Sequence, residues 1–134
     1  MKNLNKLEET LASLDKAIKT NPDDHKACHK KGVVLSNLNR QQEAIEAFDG
    51  AIKLKSDVSE TWYQKGIARC KLNRHEEAIG TLDQAVNINP DDYMAWYNIG
   101  VSLDSLGHHE EVIKAYAKST RIKFGGNMAG NSSD

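Results

Sequence analysis

Four consecutive residues, His108, His109, Glu110 and Glu111, are of types that can bind zinc or transfer protons. A metal site needs ligands that converge on one point, whereas adjacent residues at the start of a helix point to different sides. His75 lies 34 residues before His109 in a similar context, which favours a packing role between helices for both. The sequence therefore predicts no metal site here.

Pairs of adjacent glutamates could in principle work as a general acid and a general base. Catalysis would require carboxyl groups of unlike pKa in a dry pocket, and nothing around these pairs predicts one. We interpret them as residues that open helices, where acidic side chains complement the helix dipole. The pairs are Glu8–Glu9, Glu76–Glu77 and Glu110–Glu111. No catalytic residue is predicted, and the protein is not expected to be an enzyme.

Cysteines and glycines give no sign of a cofactor. Cys28 and Cys70 have no CxxC spacing, so neither a disulfide framework nor a zinc site is predicted. The glycines at 125–126 follow a predicted helix, whereas a phosphate-binding loop precedes one. We therefore expect no cofactor.

The composition of the 134 residues narrows the class of partner. Hydrophobic residues make up 39% of the chain, and Lys+Arg 18 nearly balance Asp+Glu 19, so no global positive field favours nucleic acid or an anionic membrane. No apolar run reaches the length of a membrane-spanning helix, and the first 20 residues mix charges with leucine. We expect a cytoplasmic protein that binds neither nucleic acid nor membrane.

The elements that would position any site come from an internal repeat. Trp62 and Gly66 recur as Trp96 and Gly100, a shift of 34 residues, and the whole stretch aligns at that period without a gap. The three units are residues 25–58, 59–92 and 93–126. Each unit shows two amphipathic helical patterns joined by a short polar turn. The predicted helices are 25–37, 41–54, 59–71, 75–88, 93–105 and 109–122.

This pattern resembles the tetratricopeptide repeat, a 34-residue helix–turn–helix unit. Counting places from the first residue of each unit, the matching residues are Cys28, Trp62 and Trp96 at place 4, Gly32, Gly66 and Gly100 at place 8, Ala44, Ala78 and Val112 at place 20, and Phe48, Leu82 and Tyr116 at place 24. The resemblance implies an all-α, right-handed α-solenoid of about three and a half repeats over residues 1–124, in which the small residues allow helices to approach closely. Residues 125–134 are predicted to be a flexible polar tail.

Residues 5–24 fit the second half of a further repeat. Their apolar stripe, with a 3–4–3–4 spacing, predicts an amphipathic helix that packs on the helix at 25–37. The stripe is Leu4, Leu7, Leu11, Leu14 and Ile18. Because half of the usual hairpin is missing there, the leftover apolar surface favours a homodimer through this helix. At the other end, Ser119 and Thr120 predict a polar face that closes the array.

The resemblance also implies a concave surface, lined by the first helix of each unit, that binds peptides. Places 5 and 9 give a repeated pair of a ring and a β-branched residue, one helical turn apart. The predicted groove residues are His29, Val33, Tyr63, Ile67, Tyr97 and Val101, with Lys26, Lys30, Gln64 and Asn98 beside them. The lysine and asparagine set with which one branch of the family binds chaperone C-termini is absent, so a segment with apolar anchors is the expected ligand.

These observations lead to three hypotheses about function. The preferred one is a non-catalytic scaffold that binds a protein or peptide in the groove. The alternatives are a structural module that self-assembles through its incomplete ends, and the repeat region of a larger multidomain enzyme. An RNA-binding helical repeat fits poorly, because few basic residues line the groove.

Overall fold

The computed structural model describes residues 2–125, and these residues form seven α-helices without a strand. The helices are α1 (Lys2–Thr20), α2 (His25–Asn37), α3 (Gln41–Leu54), α4 (Ser59–Lys71), α5 (His75–Ile88), α6 (Tyr93–Ser105) and α7 (His109–Lys123). The six helices predicted in the three units are confirmed, with α7 ending at residue 123 instead of 122. Residues 126–134 of the predicted tail lie outside the described part.

Each unit is a helical hairpin, and the hairpins stack in chain order. α2 packs on α3, α4 on α5 and α6 on α7, while α3 contacts α4 and α5 contacts α6. The first helices also contact each other, α2 with α4 and α4 with α6, whereas no such contact joins the second helices. The stack is therefore curved, with α2, α4 and α6 on its concave side. The predicted all-α solenoid is confirmed.

The glycines at place 8 allow each hairpin to close. A Cβ atom added to Gly66 would lie 2.6 Å from Leu82, and one added to Gly100 would lie 2.5 Å from the Tyr116 ring. Gly32 faces Phe48 in the same way. Even a methyl group does not fit between the helices at this place. The close approach of the two helices therefore accounts for a glycine inside a helix.

The loops between units are fixed by side chains. The Asp24 carboxylate accepts hydrogen bonds from the backbone N–H groups at the start of α2, and Asp92 caps α6 in the same way. The Trp62 indole donates to the Ser56 carbonyl at 2.8 Å, and Trp96 donates to the Pro90 carbonyl at 3.1 Å. These aspartate caps and tryptophan hydrogen bonds thus hold the loops on which the angle between successive hairpins depends.

Two of the three glutamate pairs open helices, as the sequence analysis predicts, and the third does not. The pairs at 76–77 and 110–111 occupy the first turns of α5 and α7. The reading of Glu8–Glu9 as a helix opening is wrong, because α1 already begins at Lys2 and the pair lies inside it.

The packing of α1 on α2 is confirmed. Leu11 is buried with Val34 and Leu35, and Leu7 and Leu14 pack against the same cluster. Leu4, at the start of the stripe, is 50% exposed. No helix of the described residues has the length and apolar content that a membrane span requires.

The last hairpin differs from its predicted polar end. Thr120 is exposed, but Ser119 is buried and donates a hydrogen bond to the Tyr93 carbonyl within its own hairpin. Two apolar side chains of this hairpin are also exposed, Ile113 at 71% and Tyr97 at 48%. Place 27 therefore belongs to the hairpin contact and does not face a following unit.

Candidate functional site

The predicted groove residues all lie on α2, α4 and α6, the three helices of the concave side. Val33, Ile67 and Val101 hold the same place in successive units, and each is partly buried. They form one row across the three helices, which we call the concave row, and one ring from each unit flanks it. The rings are His29, Tyr63 and Tyr97.

Hydrogen bonds between neighbouring first helices fix two of these rings. The Nδ1 atom of His29 lies 2.9 Å from the hydroxyl of Thr61, which joins α2 to α4. The Asn98 amide donates to the Tyr63 hydroxyl at 3.4 Å, which joins α4 to α6. Side chains held in this way have little conformational freedom to lose if a partner contacts them.

Charge is scarce along the concave row. Burial lowers the pKa of His29, an effect that Glu60 partly opposes, so this imidazole is neutral at pH 7. Burial also raises the pKa of the Tyr63 phenol, which stays protonated. The row thus offers an uncharged, mainly apolar surface to a ligand.

A cavity of about 220 Å³ opens at the N-terminal end of the groove, between α2 and α4. Its lining includes His25, Lys26, His29, Lys30, Glu60 and Thr61. Both lysines are exposed, so they give this end a local excess of positive charge. An acidic residue of a ligand would be favoured there.

The two predicted amides are already partly engaged. The amide nitrogen of Gln64 donates to the Glu60 carboxylate at 3.0 Å, and that of Asn98 donates to the Met94 carbonyl at 2.8 Å. Each amide therefore offers a ligand mainly its carbonyl oxygen, which can accept a hydrogen bond from a peptide N–H group.

The far end of the groove is more exposed. The Tyr97 ring stacks on Tyr116 of the same hairpin, with 5.4 Å between ring centroids. Tyr63 instead reaches Asn98 of the next unit, which accounts for its deeper burial. The same repeat place thus gives a fixed polar contact in the second unit and an open aromatic surface in the third.

The histidines singled out for chemistry have different surroundings. His75 is partly buried, and its Nδ1 atom lies 3.3 Å from the Ser102 hydroxyl on α6, so its predicted packing role between helices is confirmed. The same prediction is wrong for His109, whose side chain is 79% exposed and lies 3.9 Å from Asp104. Among residues 2–125 no three His, Cys, Asp or Glu side chains are placed to hold a metal ion.

One polar chain was not predicted from the sequence. The Cys70 sulfur lies 3.1 Å from the Ser102 hydroxyl, which in turn contacts His75. These residue types could form a nucleophile and a base, but Ser102 is fully buried and burial raises the pKa of the Cys70 thiol. These three hydrogen-bonded side chains therefore join α4, α5 and α6, and they do not offer an activated nucleophile to a substrate.

Comparison with protein families agrees with this architecture. A family model described as tetratricopeptide repeat matches residues 25–58 and 94–124, and one described as TPR repeat matches residues 66–107. These matches together span most of the described helices, and the chain belongs to the tetratricopeptide repeat family. It is thus an interaction module by class. No curated protein matches the sequence.

Solved structures of MamA have the same fold. A crystal structure of MamA superimposes with a TM-score of 0.86 over 91% of this chain and 71% of the MamA chain, at 25% identity. The MamA RS-1 ArsTM double mutant gives 0.83 at 27% identity, covering 88% of this chain and 66% of its own. MamA 41-end from Desulfovibrio magneticus RS-1 gives 0.83 over 90% and 68% of the two chains, and its 19% identity supports the fold alone.

Proposed function

We propose that this protein is a non-catalytic scaffold that binds an extended or helical peptide segment of a partner protein in its concave groove. The observation that carries the proposal is the concave row itself. Val33, Ile67 and Val101 stay partly exposed on three adjacent helices, and while Val33 packs against the core of the first hairpin, Ile67 and Val101 belong to neither buried cluster. The cytoplasmic setting stays a prediction from the sequence.

Packing supports a role for the row beyond hairpin closure. The hairpin contacts of the second unit are made by residues such as Ala78, Leu82 and Ala85, each 0% exposed. Ile67 belongs to neither buried cluster and follows Tyr63 by one helical turn on α4. Partly exposed β-branched and aromatic side chains on rigid helices suit the anchoring of apolar side chains of a peptide.

Replacing Ile67 with aspartate tests the proposal at the centre of the row. A carboxylate at this point would face an apolar anchor of the ligand, so affinity for the partner should fall by at least about tenfold, roughly 1.4 kcal/mol. The partner is first identified by affinity capture and mass spectrometry with the unaltered chain. Its affinity for each variant is then measured by calorimetry with purified protein.

Lys53→Asp is the matched control, because Lys53 is exposed on α3, away from the concave side. Circular dichroism at increasing temperature establishes that both variants are folded before affinities are compared. Equal affinities of two folded variants would show that the row is only partly buried packing and that the partner binds elsewhere.

A specific observation also favours the second candidate, self-assembly through α1. Ala17 is exposed, whereas Ala51 and Ala85 at the same repeat place are 1% and 0% exposed. Thr10 is exposed where Ala44 is fully buried. The hairpin face of α1 therefore has no partner among residues 2–125, and a second copy of the chain could cover it.

Adding charge to this face should dissociate a dimer. We expect Thr10→Glu combined with Ala17→Glu to shift the mass measured by light scattering from dimer to monomer. Asn5→Glu with Ala12→Glu adds the same charge to the other exposed side of α1 and should leave the mass unchanged. A monomeric mass of the unaltered chain at high concentration would exclude this assembly. Leu11 is unsuitable for the test because it is buried in the core.

A further inference from the structure

A groove of about 410 Å³ lies on the convex side of the third unit, between α5 and α7. Its floor is formed by Trp96, Ile99 and Leu103 of α6, and carboxylates stand on both sides. We call this the convex groove. It is separate from the concave row, so its role does not depend on the function proposed above.

The first two unit boundaries show what normally occupies this position. Lys31 forms an ion pair with Asp15 of the preceding helix at 2.8 Å, and Lys65 pairs with Asp49 at 2.6 Å. Both pairs join place 7 of one unit to place 25 of the unit before it. At the third boundary the aspartate is kept as Asp83, but the lysine is replaced by Ile99.

A further ion pair occurs at this position in the second unit alone, because place 11 is an arginine there and a leucine, Leu35 or Leu103, in the other two units. In the second unit, the Arg69 guanidinium lies 3.7 Å from Glu77 and donates to the Thr81 hydroxyl at 2.6 Å. In the third unit, the glutamate is kept as Glu111, while the place of the arginine is taken by Leu103. The nearby His108 ring, 3.6 Å from Glu111, is charged only when protonated.

The lysines on the rim do not replace these partners. Lys114 and Lys118 of α7 line the groove, yet neither forms an ion pair among the residues that the structure describes. The Lys118 ammonium lies 5.7 Å from the centre of the Trp96 ring. Burial raises the pKa of the Asp83 carboxyl. Asp83 thus keeps the carboxylate of an ion pair whose lysine is replaced by Ile99, and Glu111 has no arginine at the place that Arg69 holds in the second unit.

We propose that the convex groove binds an arginine side chain, flanked by an apolar residue, of a partner's peptide segment. A guanidinium has five donors in a planar fork, so it can donate to more than one carboxylate, and its stem can lie on the partly exposed Leu103. Arg69 already places a guanidinium at the corresponding position of the second unit. The volume exceeds what one arginine fills, which leaves room for an apolar neighbour against Trp96.

The probe for this site is the peptide acetyl-Leu-Arg-Leu-amide, added to the full ¹⁵N-labelled chain in a series of NMR spectra. Signals of residues around Asp83, Ile99 and Glu111 should move in a saturable way. The same peptide with citrulline, which keeps the shape of arginine but has no charge, should bind at least about tenfold more weakly because the charge-assisted hydrogen bonds are lost.

Two sets of variants separate this site from general charge attraction. Asp83→Asn with Glu111→Gln should weaken binding at least about tenfold, whereas Asp49→Asn with Glu77→Gln removes the same charges from the second unit and should not. Ile99→Lys with Leu103→Arg should abolish binding, because it restores the cations of the second unit inside the groove.

Several results would overturn the proposal. These are the absence of any shift up to millimolar peptide, equal affinity for the citrulline peptide, unchanged affinity after loss of Asp83 and Glu111, and shifts confined to α2 and α4. Movement of the same signals with protein concentration alone would identify a second copy of the chain as the occupant, which also contradicts a peptide ligand.

Discussion

Replacing Phe48 with alanine should lower the free energy of unfolding by about 3–5 kcal/mol. The Phe48 side chain is fully buried in the first hairpin, where it fills the space left by Gly32 on α2. Its ring also lies 5.6 Å from the His29 ring, between centroids. The α2 backbone at Gly32 and the His29 ring are held in place by the packing of the helices. We therefore expect the cavity left by Phe48 to close only in part.

Chemical denaturation of the full chain measures this change. Ile113→Ala is the matched control, because Ile113 is an apolar residue on a second helix but is 71% exposed, and its loss should change stability by less than about 0.5 kcal/mol. A similar small effect for Phe48→Ala would mean that the first hairpin does not have the tight packing described here.

The helices could be predicted well because the 34-residue period determines them three times over. Each unit repeats the same apolar places and the same turn, so an error in one unit would conflict with the other two. The close contacts at Gly66 and Gly100 follow from the same comparison, since glycine recurs where a bulky residue of the partner helix must fit. The bounds of the six helices in the three units were predicted to within one residue, whereas α1 begins at Lys2 and ends at Thr20, which differs from the bounds of 5–24 given for the half repeat.

Contacts between units were harder to predict, because the same place can have different neighbours. His75 and His109 hold equivalent places, yet only His75 has a following helix, on which Ser102 provides a partner. In the described part of the chain no helix follows α7, so His109 remains exposed. A sequence pattern records which residue holds a place but not what stands opposite to it.

The candidate sites show the same difference between what the repeat pattern predicts and what depends on contacts between units. The concave row could be located from periodicity and from the resemblance, whereas the bond between His29 and Thr61 required the relative position of α2 and α4. The convex groove was missed, although its signal was present in the sequence. It is the loss of a cation at Ile99 while the carboxylate at Asp83 is kept, and it becomes meaningful only once these places are known to touch.

The contact between Gly66 and Leu82 leads to a second prediction with a large effect on stability. The effect of Gly66→Ala should change sign when Leu82 is also replaced by alanine. Leu82→Ala should lower the free energy of unfolding by about 2–5 kcal/mol, because Leu82 is fully buried. Gly66→Ala alone gains about 1 kcal/mol of helix propensity, but its methyl group would lie 2.6 Å from Leu82, and overpacking costs about 1–3 kcal/mol. We therefore expect Gly66→Ala to destabilise the unaltered chain by about 1 kcal/mol.

In the Leu82→Ala background the same substitution should instead stabilise the chain by about 1 kcal/mol, because the new methyl group enters the space that Leu82 vacates and the propensity gain remains. The coupling energy of this double-mutant cycle, on the order of 2 kcal/mol, measures how tightly the second hairpin is closed. Gly80→Ala provides the control, since Gly80 is on α5 with nothing within 4 Å of an added Cβ atom, and it should be stabilising by the same amount in both backgrounds. Additive effects of Gly66→Ala and Leu82→Ala in denaturation experiments would mean that these residues do not share one packed space, and the glycine at this place would then need another explanation than close approach of the two helices.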